Sequence, residues 1–417
     1  MQIKFAKLFD DAPQIPYSTV EQVFRSELGR PPCGPDGVFE IFEKNAIASA
    51  SIAQVHKAKL WPSPGDKEEK WVAVKLQKPD VWKQMEWDLG VYRAIMWMFE
   101  RWAFDLPVYF VVGEFHFVLS VQLRAKFCKT DFVSDHLRKE LDFVLEAHNA
   151  EKTAKFVKAE PRLANKVYIP KVYPEYSTKK VMTAEWIDGV RLSDRLAIRA
   201  LMGESELRSS SSSPPAATPY TTPKPLKGGL KAIMQSMVEL FSAQMFNWGW
   251  VHCDPHPGNI IIREHPSRPG YPQLVLIDHG LYVGVEEHFR WQWVALWRGM
   301  LAGDLGEVEG VTKAWGMGAP ELLASATLMK PVRLNRKDVN RKKRDKESGS
   351  DENVGGKELS QYEMSVLMKK RLKDFLADTD KMPKVLIFLM RNMRLVISSY
   401  IFQHNSIMIS FLQHGPR

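Results

Sequence analysis

Early in the chain apolar residues alternate with polar ones, and later they recur at helical spacing. VFEIFEKN (38–45), SIAQVHKAKL (51–60) and KWVAVKLQ (70–77) have the length and β-branched content of paired strands. A helical region follows from about Val81, and then two further strand candidates, KVYIPKVY (166–173) and TKKVMTAEWI (178–187). From residue 230 the period is helical: LKAIMQSMVELFSAQMFNWGW (230–250), GVEEHFRWQWVALWRGMLAG (284–303), ELLASATLMK (321–330) and the C-terminal segments. Strands first and helices later, with the switch near residue 190, predict an α+β chain with a small β-rich lobe and a larger helical lobe.

Three polar stretches interrupt the periodic sequence. SPGDKEEK (63–70) is a turn between strands, and GESELRSSSSSPPAATPYTTPKPLKGG (203–229) is a Ser/Pro/Thr-rich insertion of the kind that does not form a packed core. The third, RLNRKDVNRKKRDK (333–346), leads into SGSDENVGG. The expected organisation is a helical N-terminal extension at 1–35, an N-lobe with inserted helices at 36–187, and a C-lobe at 188–417 with insertions near 203–229 and 333–358.

Composition changes this picture little. With 45% apolar and 26% charged residues the 417-residue chain is an ordinary globular protein. Three cysteines (Cys33, Cys128, Cys253) at no metal-like spacing imply neither a disulfide framework nor a zinc cluster. The net charge of +9 invites a nucleic-acid reading, but the 333–346 run holds eight basic and two acidic residues, so most of the excess sits in one polar segment. A solvated insertion accounts for it without nucleic acid; a docking patch for acidic lipid is the alternative. The longest apolar region, from Trp102, is broken by Asp105, Pro107 and Glu114, so no membrane span is expected. MQIKFAKLFDDAP at the start reads as neither a signal peptide nor an Arg- and Ser-rich presequence.

The chemistry gathers in five places. On the strand WVAVKLQ, Val72, Val74 and Leu76 share one face while Ala73 and Lys75 share the other, so Lys75 needs a partner if that face is covered. V-A-V-K has the form of a phosphate-contacting lysine strand, though a sheet-edge lysine would look the same. In KELDFVLEAHNAEK, Leu141, Val144, Leu145 and His148 form an apolar stripe, beside the polar stripe Asp142, Glu146 and Asn149. Glu146 is the candidate partner for Lys75; a solvated helix face is the plain alternative. KNAIASASIAQVH (44–56) lies where a glycine-rich phosphate loop would stand but holds no glycine.

The most informative stretch is WVHCDPHPGNIII (250–262). His252, Asp254 and His256 at alternate positions could ligate Zn or Fe in a metallohydrolase, with Asp278 and His279 as further ligands. His252-x-Asp254-x₄-Asn259 also keeps the spacing of H-R-D-x₄-N, in which Asp takes a hydroxyl proton and Asn holds Mg²⁺. LVLIDHGL then places Asp278-His279-Gly280 after an apolar strand, where D-F-G would stand, and makes Asp278 the second metal ligand. Lysine, glutamate, HxDx₄N and DxG in that order favour phosphate chemistry over hydrolysis.

Taken together, ASASIAQVH, VAVKLQKP, ELDFVLEAHNAEK, EWIDG, HCDPHPGN and LIDHGL resemble the UbiB/aarF-domain atypical kinases from about Asp10 to about Tyr400. The D-H-G form is similar to the mitochondrial aarF-domain branch rather than the coenzyme Q branch. The resemblance implies a bilobal protein-kinase-like fold, and Mg²⁺ and ATP as cofactors. It pairs Lys75 with Glu146, and gives Asp254 a catalytic role and Asn259 and Asp278 metal-binding ones. Ala48, Ser49, Ala50 and Ser51 match the Ala-rich nucleotide loop, and Met182 to Glu185, including Ala184, match the adenine hinge. Glu140 and Asp142 match an E-x-D element that occludes the peptide site. His256 is implied to neighbour the bound phosphates.

ATPase or kinase action on a lipid or small molecule in mitochondrial lipid or coenzyme Q-related homeostasis is implied, with peripheral membrane association. A pseudokinase scaffold is the alternative. Two departures stand out. The family's K-x-G-Q motif falls before the matched start, so the chain reads as N-terminally truncated, without that segment or a presequence. HFVLSVQLRAKFCKTDF (116–132) reads as a retained intron or a local insertion.

Overall fold

The computed structural model of the 417-residue chain describes residues 12–62, 69–98, 138–203, 225–317, 320–328, 383, 385–386 and 388–393. The insertion near 115–131, the Ser/Pro-rich residues 204–224 and the basic run 333–346 lie outside these residues.

The first lobe is built on an antiparallel sheet. Its strands are β1 (Ile41–Phe42), β2 (Ala48–Ser49), β3 (Ala53–Lys59), β4 (Trp71–Gln77) and, after intervening helices, β6 (Val181–Glu185). They run in the order β1-β3-β4-β6, with β2 hairpinned onto β3. The alternation read in WVAVKLQ holds: Val72, Val74 and Leu76 are fully buried on one face. They pack with α1 (Tyr17–Leu28), whose Phe24 meets Phe39 and Phe42 edge-on at 6.0 and 5.4 Å between ring centroids. The helix stops at Gly29, which takes the left-handed conformation and returns its N–H to the Arg25 carbonyl.

Helix α2 (Val81–Met98) follows β4, and α3 (Phe143–Ala159) packs against β6. The second lobe opens with β5 (Val167–Tyr168) and continues, after β6, with β7 (Val190–Arg191), α4 (Arg195–Leu201) and α5 (Gly229–Ser242). Then come β8 (Trp250–His252), β9 (Ile260–Glu264), β10 (Pro272–Leu276), β11 (Tyr282–Gly284), α6 (Glu287–Ala302), α7 (Leu305–Ala314) and α8 (Pro320–Leu328). A second sheet runs β5-β10-β9-β7, with β5 parallel to β10, and β8 pairs with β11. Around these, Phe241, Leu240, Met245, Trp293 and Trp297 form a fully buried centre; each such aliphatic or phenyl side chain is worth about 1.5–3 kcal/mol of burial.

Several expectations are corrected. VFEIFEKN yields only a two-residue strand, because the Val38 and Phe39 N–H groups bond the Pro31 and Pro32 carbonyls instead of a neighbouring strand. KVYIPKVY is split: Pro170 has no N–H to give, so Val167–Tyr168 joins the second sheet and Val172 makes a lone bridge to Ala184. The helical run expected across 230–250 ends at Ser242, passes through a π-helical turn (Ala243–Trp248), and breaks at left-handed Gly249 to start β8. The apolar strand expected before Asp278 is present as β10, whereas β8, β9 and β11, in a half expected to be otherwise helical, follow from that break and from the β-branched run Ile260–Ile262.

Of the stripe expected to bury α3, Leu141 is buried and Leu145 half-buried, but the rest is not. Val144 and His148 face solvent, while Phe143, Glu146, Asn149, Ala150, Thr153 and Val157 are buried. The polar alternative of a solvated face for Glu146 and Asn149 is thereby overturned. Both have specific partners inside.

Candidate active site

Lys75 reaches the space under the sheet because the opposite face of β4 is filled by Val72, Val74 and Leu76. Glu146 comes from the first turn of α3, which Asp142 caps by accepting the Val144 and Leu145 N–H groups at 3.1 and 3.4 Å. The Lys75 ammonium donates to Glu146 Oε1 at 2.7 Å and Oε2 at 2.9 Å, and stands 3.6 Å from Asp278 Oδ2. Glu146 is 1% exposed, so its carboxylate is tolerable only with that cation beside it. Burial opposes the charge on Lys75, but Asp278 and Glu146 outweigh it and hold the ammonium above its ordinary range. Burial likewise acts against ionised Asp278, yet Lys75 and the Gly280 N–H, 3.0 Å from Oδ1, bring it below the usual carboxylate range. Burial raises Glu146.

His252 ties the two aspartate loops together. Its Nδ1 accepts the Asp254 N–H at 2.9 Å, so the proton sits on Nε2, which donates to the Asp278 carbonyl at 2.9 Å. Burial lowers its pKa and keeps it neutral. With both nitrogens engaged and the ring fully buried, His252 has no lone pair to give a metal, and the His252/Asp254/His256 hydrolase alternative is set aside. His279 is similar: Nε2 donates to the Leu276 carbonyl at 3.1 Å, Nδ1 lies 3.0 Å from the Tyr282 hydroxyl, and burial takes its pKa down to about 3. Asn149 of α3 donates to the His279 carbonyl at 3.0 Å, and the His279 N–H lies 3.5 Å from Glu146 Oε1. Helix, strand lysine and D-H-G turn are thus one hydrogen-bonded unit.

Asn259 donates its amide nitrogen to the Asp254 carbonyl at 3.4 Å, which makes Oδ1 the ligand it would offer. Together with the Asp278 carboxylate, that is an oxygen donor set suited to Mg²⁺. Burial, and then the negative charges of Asp254 and Asp278, push Glu140 up to about 7. Asp142 of the same E-x-D element instead serves as the α3 cap and lies 3.7 Å from Lys179. His256 caps a short turn by accepting the Gly258 N–H at 3.1 Å and stands 3.7 Å from Asp254.

The Ala-rich loop is a tight hairpin. Ala48 pairs with Val55, Ser49 with Gln54, and the Ala50 N–H meets the Ala53 carbonyl at 2.8 Å. Among the described residues the only non-glycine with positive φ is Asp80, so the loop keeps ordinary backbone where a glycine loop could flex. Lys78 pins it by donating to the Ala50 carbonyl at 2.6 Å. Ser49 is buried, with its hydroxyl 3.4 Å from the Pro13 carbonyl, so it would meet a nucleotide through backbone alone; Ser51 is exposed. In β6, Met182 pairs with Lys75 and Ala184 with Ala73, which puts both on the lysine's face of the sheet. The Glu185 carboxylate accepts the Tyr168 hydroxyl at 2.5 Å and the Lys171 N–H at 3.2 Å.

One contribution was not foreseen. Arg391, in a helical segment at 388–393, pairs with the Asp254 carboxylate, and Asn392 donates to the His252 carbonyl at 2.5 Å. No spacing rule connects residues 137 positions apart, so the sequence held no signal for this contact.

A family model described as the ABC1 atypical kinase-like domain matches residues 7–312. The chain belongs to the ABC1 (UbiB/AarF) atypical kinase family. This ABC1 chain is 36% identical over 409 residues to "ABC1 family protein lscO" of Purpureocillium lilacinum, covering 95% of this chain and 61% of that protein. It is 37% identical over 392 residues to "ABC1 family protein C10F6.14c" of Schizosaccharomyces pombe, covering 94% and 61%. To "AarF domain-containing protein kinase 1" of Xenopus laevis it is 30% identical over 311 residues, covering 75% and 49%. The chain therefore spans about three fifths of the length of its fungal relatives. A solved complex of Rv3197 with erythromycin from Mycobacterium tuberculosis superposes with a TM-score of 0.48 at 20% identity, covering 90% of this chain and 82% of that one, a similarity too distant to argue from. The α+β, bilobal kinase-like architecture accords with the family. Among the described residues no helix is long and apolar enough to cross a membrane.

Proposed function

We propose that this ABC1 chain binds Mg-ATP and acts as an atypical kinase or ATPase. The observation that carries the reading is the meeting of Lys75 with both Glu146 and Asp278, at 2.7 and 3.6 Å, beside the Asp254–Asn259 loop. In the proposed division of roles Lys75 holds the nucleotide phosphates, Glu146 orients Lys75, and Asn259 and Asp278 are the Mg²⁺ ligands. The metal neutralises phosphate charge when bound. Asp254 takes the proton of the attacking hydroxyl or water as that oxygen bonds the γ-phosphorus and the bridging bond to ADP breaks. Ala48, Ala50, Ser51 and the backbone of Ser49 line the phosphate side, with Met182, Ala184 and the Glu185 backbone on the base side. A small-molecule or lipid acceptor, rather than a peptide, rests on the resemblance of Glu140 and Asp142 to the E-x-D element that occludes the peptide site. Work on mitochondrial lipid or coenzyme Q-related metabolism, at a membrane surface, rests on the family resemblance.

A thermal-shift series tests this. Mg-ATP at millimolar concentration should raise the melting temperature, and Lys75→Ala or Asp278→Asn should diminish that rise. No shift with ATP, Mg²⁺ or both would sink the nucleotide reading. A shift without phosphate release, with or without lipid vesicles, would leave a pseudokinase scaffold, which Cys253 in the usual arginine position and the Ala-rich loop also accommodate.

A further inference from the structure

The helical segment 388–393 lies beyond the family-matched residues 7–312, yet three of its side chains grip the loop that carries Asp254. Arg391 pairs with Asp254 Oδ1, Asn392 donates to the His252 carbonyl, and Phe388 packs with Cys253 and Leu281. We propose that Arg391 is a positioning residue, delivered by this C-terminal clasp, that holds the Asp254 carboxylate in its working orientation. The inference rests on the kinase or ATPase reading above.

Stability does not explain the pair. Arg391 and Asp254 are 46% and 37% exposed, and ion pairs so open to water stabilise a fold little. The neighbourhood even carries costs: Asn392 Oδ1 and Gln244 Nε2 are buried without a hydrogen-bond partner. What these residues achieve is fixation of the loop. The His252 N–H is held by Gln244 Oε1 at 2.9 Å and its carbonyl by Asn392, so the peptide groups leading to Asp254 are gripped from two elements.

Among the described residues the other side chain paired with Asp254 is His256, at 3.7 Å, and an imidazole is charged only when protonated. A guanidinium is permanently charged and forked to match a carboxylate. Cys253, where kinase loops carry arginine, is fully buried, and burial pushes its thiol up. It serves as the apolar seat for Phe388. The loop's own residue anchors the clasp, and the clasp supplies the charge.

The test uses the full chain with Arg391→Ala, Arg391→Lys and, as a control, Arg298→Ala, whose exposed pair with Glu307 lies on α6 and α7. ATP turnover is measured with maleimide labelling of Cys253, read by peptide mass spectrometry apart from Cys33 and Cys128. Expected for Arg391→Ala is a tenfold or larger fall in kcat with KM for Mg-ATP within twofold. Added methylguanidinium should restore part of the turnover, Arg391→Lys should lie between, and Cys253 should label faster. Unchanged or increased kcat in Arg391→Ala overturns the proposal, an increase meaning the contact is inhibitory. If the parent shows a Mg-ATP thermal shift but no turnover, phosphotransfer fails by itself; the clasp is then judged by labelling, and an unchanged Cys253 rate overturns it.

Discussion

Lys75 and Glu146, 71 residues apart in the chain, meet with the ammonium 2.7 Å from Oε1 and 2.9 Å from Oε2, and Asp278 stands 3.6 Å away on the same nitrogen. One cation here holds two carboxylates, one of them fully enclosed. Removing Lys75 alone strands Glu146. Lys75→Met should destabilise the protein by about 3 kcal/mol, the lower end of the cost of breaking a buried pair, since Lys75 keeps some contact with water. Glu146→Gln should cost less, and the double variant should recover part of the loss. Urea unfolding of the four proteins measures the coupling; additive losses would mean that the two residues do not stabilise each other.

His252 joins the Asp254 and Asp278 loops through both ring nitrogens. His252→Phe fills the space but leaves the Asp254 N–H and the Asp278 carbonyl without partners, at about 1–3 kcal/mol each. Lower stability is expected together with a larger loss of ATP turnover than of ATP affinity, because the proposed base and metal ligand lose their common tether. Turnover that survives in a folded His252→Phe protein would show that the tether is dispensable.

The glycine of EWIDG has a packing reason. A Cβ at Gly189 would lie 2.8 Å from the Ile262 carbonyl oxygen and 2.5 Å from Ile261 Cγ2, where β7 begins its pairing with β9. Backbone cannot step aside as a side-chain end can, so Gly189→Ala should destabilise by about 1–3 kcal/mol. The midpoint of denaturant unfolding reads this directly, and a midpoint equal to the parent's would contradict the close approach.

His56 gives the first lobe a pH dependence. It is fully buried, stacked on Phe42 with Nδ1–H on the Glu43 carbonyl at 2.8 Å and Nε2 receiving Gln54 at 2.7 Å. Burial lowers its pKa below the ordinary value of 6.5. In the unfolded chain the ring takes a proton as pH falls through 6.5, while in the folded protein it resists, so its stabilising contribution is complete above 6.5 and declines below. The melting temperature should therefore fall between pH 7 and 5, and less steeply in His56→Gln. Parallel curves for the two proteins would assign the acid sensitivity to other groups, such as buried His252 and His279.

Much of the site could be read from local pattern. Period-two alternation placed Lys75 opposite Val72, Val74 and Leu76, and the order of lysine, glutamate, HxDx₄N and DxG named the residues that the fold brings together. Such features depend on neighbours in sequence and on the pleat of a strand, so they survive without knowledge of the fold.

Where long-range packing decides, local pattern fails. The apolar stripe pointed to Leu141, Val144, Leu145 and His148, of which Val144 and His148 are exposed, whereas the buried face carries Glu146 and Asn149, because Lys75 and the His279 carbonyl repay their desolvation. Pro170 ended a strand that composition favoured, and Gly249 turned an expected helix into β8. Arg391 lies farthest from what sequence alone could determine. Its contact with Asp254 spans 137 residues, and an arginine on a helix has the same local pattern whether it faces water or a carboxylate. Residue types and their order came from the chain itself; which charges share a burial, and which segment closes over them, depended on the tertiary structure, since only there is an ion's loss of water set against the partner that compensates it.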